Sequence, residues 1–397
     1  MSFSLSMFQN ILAVFVHQFN TIPYMFVYNA TSAWRRQYLP DWDSMMSSQE
    51  APILTFIIGI VGIDLGYYFM HKYAHEFHML WASHSLHHSG ERYNMATALR
   101  QGGTQQFYSM LFYLPLAAIG FPVTHYVRHN RLNTLYQFWI HTEVIGRLPW
   151  WFELIMNTAS HHRLHHRPPG NCNYGGVFIV FDRLLGTFQS ECHLLCKKSD
   201  KKVPEDIDGE YSRGVIYGLA KPLRSVDAVY ANFCHLHRLG QDEVTGNFSF
   251  LRMVDRIIRT RVHQPIRFPS SWEEFMPDVL YDWEYLNRFQ WYDRPYVTLH
   301  RIFRGPPDTA DLSADAKASS LSARDVIFLR GRDKREMTHL SLGKTLLLLG
   351  HFVVSLALSL HIMVNGKQLI ATYGMAYTAG ASIIAVLSLQ MIKFHYE

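Results

Sequence analysis

The chain has 397 residues, of which 48% are hydrophobic and 17% charged, with a formal net charge of +5 at pH 7. This small charge argues against a protein that binds nucleic acid through a strongly basic surface, and a mildly basic balance suits a face that lies against anionic lipid. The four cysteines form no C-x-x-C pair, which argues against a disulfide framework or a cysteine zinc site and fits a reducing compartment.

The first 20 residues are apolar and carry neither a basic n-region nor a small-residue cleavage site. We interpret them as part of a retained membrane helix rather than as a secretory signal peptide. Trp34, Arg35 and Arg36 follow and are typical of an anchor at the cytosolic membrane surface. Residues 1–50 are therefore predicted to form an N-terminal membrane helix and its connector.

Two further apolar runs follow. Residues 51–70 are about one bilayer thickness long and contain Asp64, and a carboxylate within such a run is a functional candidate. Residues 104–127 contain Pro115 and Pro122, which predict a kinked span or a helical hairpin because proline interrupts a straight helix.

The C-terminal half divides in two. Residues 191–340 are polar and aromatic and end in a Ser/Ala/Asp-rich stretch, which predicts a cytosolic cap and a linker. Residues 341–397 contain two candidate transmembrane helices, at 344–364 and 369–389. The predicted fold is an all-α integral membrane protein of multi-span transmembrane helices with a cytosolic helical cap that holds a histidine-rich di-metal site. The catalytic domain is predicted at residues 51–190.

Histidine is concentrated in one region, where 13 of the 23 lie between His71 and His166. Three motifs account for most of them: H-x-x-x-H at His71 and His75, H-x-x-H-H at His84, His87 and His88, and H-x-x-H-H at His162, His165 and His166. Residues three and four apart share a helix face, so each motif can direct two or three imidazoles at a common point.

The number of imidazoles indicates more than one metal ion. A single tetrahedral zinc takes four ligands, whereas the motifs supply eight nitrogen donors, so we predict two ions in one site. His141, between the second and third motifs, is a candidate ninth ligand. The nine residues from His75 to His84 require a bend between them, since one straight helix would face these residues oppositely. His161 points about 100° away from His162 and is not predicted to be a ligand.

The order of these motifs among apolar runs resembles the fatty acid hydroxylase superfamily of membrane di-iron enzymes. Within it, the flanking sequences are similar to the alkylglycerol monooxygenase branch. The stretches that carry this likeness are "LWASHSLHHSGERYNMATALRQ", "YQFWIHTEVI", "NTASHHRLHH" and "NYGGVFIVFDRLLGTFQSE". The resemblance covers about residues 64–191.

The resemblance implies an enzyme that uses two iron ions, O2 and tetrahydrobiopterin. It would hydroxylate an alkylglycerol next to the ether oxygen and release a fatty aldehyde and glycerol. The nine histidines named above would bind the iron, and Glu76 would accept the second N–H of a ligand imidazole. Asp64, two helical turns before His71, is predicted for the same role. No residue is assigned to the pterin.

The same resemblance places the chain in the endoplasmic reticulum membrane as a multi-pass protein, with its metal site on the cytosolic side. The expected partners are an ether-lipid substrate, O2, membrane lipid and, indirectly, a pterin-recycling reductase, with no nucleic acid. Two alternatives stay open. One is a sterol or fatty acyl hydroxylase or desaturase that uses cytochrome b5, and the other is a histidine-rich metal transporter. An all-nitrogen site could also accept zinc.

Overall fold

The computed structural model describes three main stretches of the chain. They are residues 21–47, residues 52–190 without 92, 144 and 169, and residues 217–276 without 220–222, 224, 226 and 243, with the single residues 357, 361, 365, 368, 371 and 372. The predictions for residues 1–20, for most of the cap and linker and for the two C-terminal spans lie outside the described residues.

The described chain is helical, and its only β-structure is three isolated bridges. Residues 21–30 are helical and lead into α1. The following helices are α1 Ser32–Tyr38, α2 Pro40–Ser47, α3 Pro52–Glu76, α4 His78–His84, α5 Met95–Ala98, α6 Gln105–Ser109, α7 Leu114–Ala118, α8 Val123–Ile140, α9 Trp150–Glu153, α10 Ala159–His166, α11 Val180–Leu185, α12 Ala228–Gly240, α13 Phe250–Ile257 and α14 Trp272–Phe275. The all-α prediction is confirmed for these residues.

Helix α3 is the central element of the fold. In the described part of the chain it is the one helix that is long and apolar enough to cross a membrane, judged by length and composition. Its glycines allow close packing, since a Cβ at Gly59 would meet His129 at 2.5 Å and one at Gly66 would meet Tyr113 at 2.8 Å. The helix ends where Phe77 adopts an extended conformation, with φ −109° and ψ 131°. This residue makes the bend that the sequence requires between His75 and His84.

The apolar run 104–127 forms a hairpin. It is divided into α6, a 3-10 turn at Met110–Tyr113 and α7, and it reverses at Gly120, whose φ of +90° suits glycine. Pro122 then caps the start of α8. Pro115 thus lies in the first turn of α7 and Pro122 where the chain enters α8, which packs beside α3.

Arg35 corrects one expectation from the sequence. It was predicted as a membrane-surface anchor, but its side chain is only 1% exposed. Its guanidinium lies 2.7 Å from the Asp43 carboxylate and donates to the carbonyl of Tyr28 at 3.0 Å. Arginine can be buried here because its planar fork of donors meets a carboxylate and carbonyls at the same time. Trp34, beside it, is half exposed.

Helices α12 and α13 pack against α4. After α13 the chain runs alongside the end of α3, where Thr260 forms a bridge with Phe77 and the Arg261 amide donates to the Glu76 carbonyl at 2.6 Å. Residues far beyond the histidine motifs therefore lie against the helices that carry them.

Candidate metal centre

Nine buried histidines form two groups. In each group, one ring nitrogen from every member lies within 4.8 Å of those of the others. The five-histidine group contains His71, His75, His84, His88 and His165. The four-histidine group contains His87, His141, His162 and His166. The structure thus brings together every histidine that the sequence predicted as a ligand, with His141 among them.

The motifs are divided between the groups, which corrects the expectation that each motif converges on one point. His71 and His75 stay together because they lie one turn apart on α3. His87 and His88 separate, as do His165 and His166, because consecutive residues of a helical turn point about 100° apart. Each H-x-x-H-H motif therefore contributes to both groups.

The groups adjoin each other. The rings of His88 and His166, one from each group, stack with their centroids 4.4 Å apart. His141 ends α8 as its C-terminal cap, and its Nε2 lies 3.2 Å from that of His87 and 3.0 Å from that of His162. The arrangement is one continuous cluster of imidazoles with two centres.

Two nearby histidines belong to neither group. His161 is buried, and its Nε2 lies 3.8 Å from the Glu153 carboxylate. His78 pairs with His235 of α12, with Nδ1 and Nε2 3.3 Å apart. His161 thus points away from the two groups, as predicted from its position one residue before His162.

Backbone carbonyls lie beside Nδ1 in four of the nine rings. In His87 this nitrogen lies 3.2 Å from Arg100 O and 3.3 Å from the side-chain amide of Gln101. In the other three rings the donor–acceptor pairs are His71 Nδ1 to Tyr174 O at 2.8 Å, His165 Nδ1 to Cys172 O at 2.8 Å, and His141 Nδ1 to Gln137 O at 2.7 Å. A carbonyl can only accept a hydrogen bond, so each Nδ1 carries the hydrogen. The Nε2 atom of each ring is therefore a lone-pair donor, and it faces its group.

Hydrogen bonds alone cannot satisfy the five-histidine group. The Nε2 atoms of His71, His84, His88 and His165 form a row with separations of 3.0, 3.2 and 3.1 Å. The two end atoms hold no hydrogen, so at most two hydrogens serve three contacts. Both ring nitrogens of His75 also lack a hydrogen-bond partner in the described structure. A cation that accepts every lone pair satisfies this arrangement.

The spacing and charge of the imidazoles fit metal ions. Ligand atoms on bonds of about 2.1 Å at angles of 90–109° lie about 3.0–3.4 Å apart, which matches the Nε2 separations. Burial lowers the pKa of His141 to about 4. Burial and then the neighbouring imidazoles hold the pKa well below its ordinary value at the other ring positions outside α3: His84, His87, His88, His162, His165 and His166. The donor set is therefore neutral nitrogen, which suits iron or zinc.

The two predicted outer carboxylates contact other partners. Asp64 accepts hydrogen bonds from the Asn133 amide at 2.7 Å and from the backbone amides of Val177 and Phe178 at 2.7 and 2.8 Å. It joins α3, α8 and the segment that leads into α11. Glu76 accepts from Lys72 at 2.5 Å and from the Gln264 amide at 3.0 Å. Both carboxylates act on the framework around the histidines rather than on a ring.

Asp182 lies at the centre although it is not among the predicted site residues. Its carboxylate is buried and accepts from the amides of Tyr174 and Gly175, each at 2.7 Å, and from the Thr187 hydroxyl at 2.6 Å. Burial raises the pKa of Asp182 to about 6. The carboxylate fixes the backbone whose carbonyl orients His71. Its position in the apolar stretch "IVFDRLL" is the sequence signal that could have identified it.

Glu153 organises the start of α10. It is fully buried and accepts from the Leu148 amide at 2.9 Å and from the hydroxyls of Thr158 and Ser160 at 2.8 and 3.0 Å. Burial opposes the charge, but His161 and then Arg147 hold the pKa of Glu153 below its ordinary value. This charged anchor fixes the helix that carries the third motif.

The comparison with protein families shows what this segment is similar to. Residues 56–187 match the family model for fatty acid hydroxylase, and all nine histidines lie inside these limits. The segment is therefore similar to the fatty acid hydroxylase family over about a third of the chain, which bears out the resemblance seen in the sequence. No solved structure matches the chain at a significant level.

The chain is also similar to individual proteins. An alkylglycerol monooxygenase of Danio rerio is 42% identical over 206 residues, which are 50% of this chain and 41% of the relative. The Homo sapiens alkylglycerol monooxygenase is 42% identical over 186 residues, 46% of this chain and 37% of the relative. The ornithine lipid hydroxylase OlsE of Rhizobium tropici is 31% identical over 171 residues, 42% of this chain and 49% of the relative. The chain thus spans half or less of the length of these relatives.

Proposed function

We propose that the chain is a di-iron monooxygenase that cleaves the O-alkyl bond of alkylglycerols to give a fatty aldehyde and glycerol. The observation that carries this proposal is the pair of adjoining groups of neutral imidazoles. In the five-histidine group the lone pairs face inward without enough hydrogens to satisfy them. The relatives named alkylglycerol monooxygenase support ether lipid as the substrate.

The nine histidines would hold two iron ions, one in each group. When bound, the iron would supply the activation of O2 that allows one oxygen atom to enter an unactivated C–H bond. We propose tetrahydrobiopterin as the source of the electron pair, with the second oxygen atom released as water. Hydroxylation next to the ether oxygen gives a hemiacetal, which breaks into aldehyde and alcohol. A separate reductase would recycle the oxidised pterin.

The chain's own side chains orient the ligands and exclude water. Aromatic rings cover both groups: Trp81 lies 5.0 Å from the His75 ring, Tyr174 lies 5.3 Å from the same ring, and Tyr93 lies 5.0 Å from that of His166. These walls are apolar and suit an alkyl chain. Such a site would also hold the substrate carbon close to the oxidant, which lowers the entropic part of the reaction barrier.

Exposed apolar side chains support a lipid setting. On α3 these are Ile53, Leu54, Phe56, Ile57 and Val61. Helix α13 exposes Phe250, Leu251 and Val254, and Ile258 is exposed just after its end. The arginines of this helix, Arg252 and Arg256, donate hydrogen bonds to backbone carbonyls at the end of α12. We propose a multi-pass protein of the endoplasmic reticulum membrane, with the metal centre on the cytosolic side. Retention in membranes through alkaline carbonate extraction is the expected result, and release would contradict it.

The predicted organisation of the chain stays part of the proposal. It comprises an N-terminal membrane helix and connector at 1–50, the catalytic domain at 51–190, the cap and linker at 191–340, and transmembrane helices at 341–397. An alkyl chain would reach the centre laterally from the bilayer, while the glycerol end stays near the cytosolic surface.

The decisive assay uses the purified full chain with ferrous iron, O2, an alkylglycerol and tetrahydrobiopterin. Release of fatty aldehyde that depends on the pterin is the expected outcome. The His165→Ala variant should lose activity together with one of the two iron ions. No aldehyde from iron-loaded protein with pterin and O2 would reject the proposal.

A second candidate is a lipid hydroxylase or desaturase that uses cytochrome b5 and acts on a fatty acyl chain or a sterol. The bacterial relative named ornithine lipid hydroxylase favours it, because the same centre could oxidise an acyl chain. Turnover that requires cytochrome b5 and ignores pterin would support this candidate. Metal flux in proteoliposomes without any oxidation would instead indicate a metal transporter.

A further inference from the structure

Gln264 connects two parts of the metal centre from outside the matched domain. It lies in the segment 259–264, called the strap here, which follows α13. Its four hydrogen bonds are N–H to Glu76 Oε1 at 3.0 Å, carbonyl O from Lys72 Nζ at 2.7 Å, Oε1 from the Tyr174 hydroxyl at 2.6 Å, and Nε2 to Asn171 O at 2.7 Å.

The partners of Gln264 surround ligand positions of the five-histidine group. Lys72 and Glu76 each follow one of the two α3 histidines directly in sequence. Asn171 and Tyr174 enclose the stretch whose carbonyls, at residues 172 and 174, accept hydrogen bonds from His165 and His71. Gln264 therefore links α3 to the loop that orients two rings of the five-histidine group.

Arg261 fixes the strap independently of Gln264. Its guanidinium donates to the His75 carbonyl at 2.7 Å and lies 4.0 Å from the centre of the Trp81 ring. The Trp81 ring in turn contacts that of His75, with centroids 5.0 Å apart. The strap is thus held in place against α3 and α4 even when the Gln264 side chain is changed.

We propose that Gln264 is a positioning residue for the five-histidine group. Its amide holds the 171–174 loop against α3, so that the carbonyls of Cys172 and Tyr174 keep His165 and His71 aimed at the ion. Glutamine suits this role because its amide donates and accepts at the same time, which neither a carboxylate nor an aliphatic side chain can do. The inference rests on the proposed binding of two iron ions.

The test measures how fast the iron-loaded full chain loses iron to a ferrous chelator. In Gln264→Ala we expect one of the two ions to leave about tenfold faster than in wild type, since disturbing the outer contacts that orient the ligands typically weakens metal binding by that factor or more. The second ion should leave at the wild-type rate. The control is His263→Ala, an exposed neighbour on the strap, which should match wild type in both phases.

Two outcomes separate the inference from the function on which it rests. If wild type holds no iron, the proposed function fails. If wild type holds two ions and Gln264→Ala loses both at the wild-type rate, the function stands and the inference fails. Equal acceleration of both ions would show a general loss of structure and would also overturn the positioning role.

Tyr174→Phe tests the contact itself, because it removes only the hydroxyl that donates to Gln264 Oε1. If this contact transmits the effect, the double variant with Gln264→Ala should lose its faster ion no more quickly than Gln264→Ala alone. Multiplication of the two single effects would show that they act independently. That result would overturn the proposed route through Tyr174.

Discussion

His165 and His166 are neighbours in sequence, yet their imidazoles belong to different groups of the metal centre. Their ring centroids lie 5.3 Å apart, with an angle of 85° between the ring planes. Helix α10 thus supplies ligands to both positions from consecutive residues, because side chains diverge by about 100° per helical residue. The two metal positions therefore lie side by side along α10, and a substitution at one of these two histidines changes one position only.

The first prediction concerns iron content. His165→Ala removes a ring from the five-histidine group and His166→Ala one from the four-histidine group, so each should reduce the content from about two ions per chain to about one. Metal analysis of the folded fraction measures this. His161→Ala is the control and should keep both ions, since its ring lies beside Glu153. Equal iron loss in all three variants would contradict the assignment.

The second prediction concerns Asp182. Asp182→Ala leaves three donors without their acceptor, including the amides of Tyr174 and Gly175. We expect a loss of about 3 kcal/mol in the free energy of unfolding, together with weaker iron binding. Asp255→Ala, which breaks an exposed ion pair with Arg259, should cost below about 1 kcal/mol. Denaturant titration in detergent compares the two, and a similar loss in both would disprove the role of Asp182.

The third prediction uses two glycines. A Cβ at Gly175 would collide with the backbone carbonyl of Phe178 and lie 3.1 Å from the Asp182 carboxylate, whereas one at Gly146 would meet nothing within 4 Å. Gly175→Ala should therefore lower the free energy of unfolding by about 2 kcal/mol, because a backbone atom must move. Gly146→Ala should stay close to wild type. Matching melting temperatures for both variants would show that the loop has room to adjust.

The fourth prediction concerns pH. Burial, reinforced by His78, Arg261 and Arg238, lowers the pKa of His235 from 6.5 to about 3. The unfolded chain then binds a proton that the folded chain does not, so this contribution to stability is complete above pH 6.5 and is lost as the pH falls below it. Between pH 7.5 and 5.5, wild type should lose about 1.4 kcal/mol more unfolding free energy than His235→Gln. Parallel pH profiles for the two proteins would rule out this contribution.

The sequence predicted those parts of the fold and site that depend on helical spacing. The motifs predicted eight of the nine grouped histidines, and the position of His141 between two motifs suggested the ninth. The nine-residue interval predicted the bend that Phe77 makes, and the prolines predicted a kink or a hairpin before α8. Glu76 did not behave as expected, because it lies one position after His75 and therefore faces Lys72, four residues earlier on its own helix.

The remaining contacts could not be predicted because they depend on the path of the chain through space. The oxygens that orient His71, His141 and His165 are backbone atoms, so no residue type marks them. The strap reaches the centre from about 90 residues beyond the last motif. The burial of Arg35 likewise depends on carbonyls that only the folded chain brings to it.

Because these carbonyls orient the rings, the histidine motifs alone do not ensure that the metal centre forms. Two of the orienting oxygens, those of Cys172 and Tyr174, lie within eight residues of His166. A one-residue deletion in that connection would shift both oxygens while leaving all nine histidines in the chain. Such a protein would still contain all three histidine motifs, but its metal centre would not assemble.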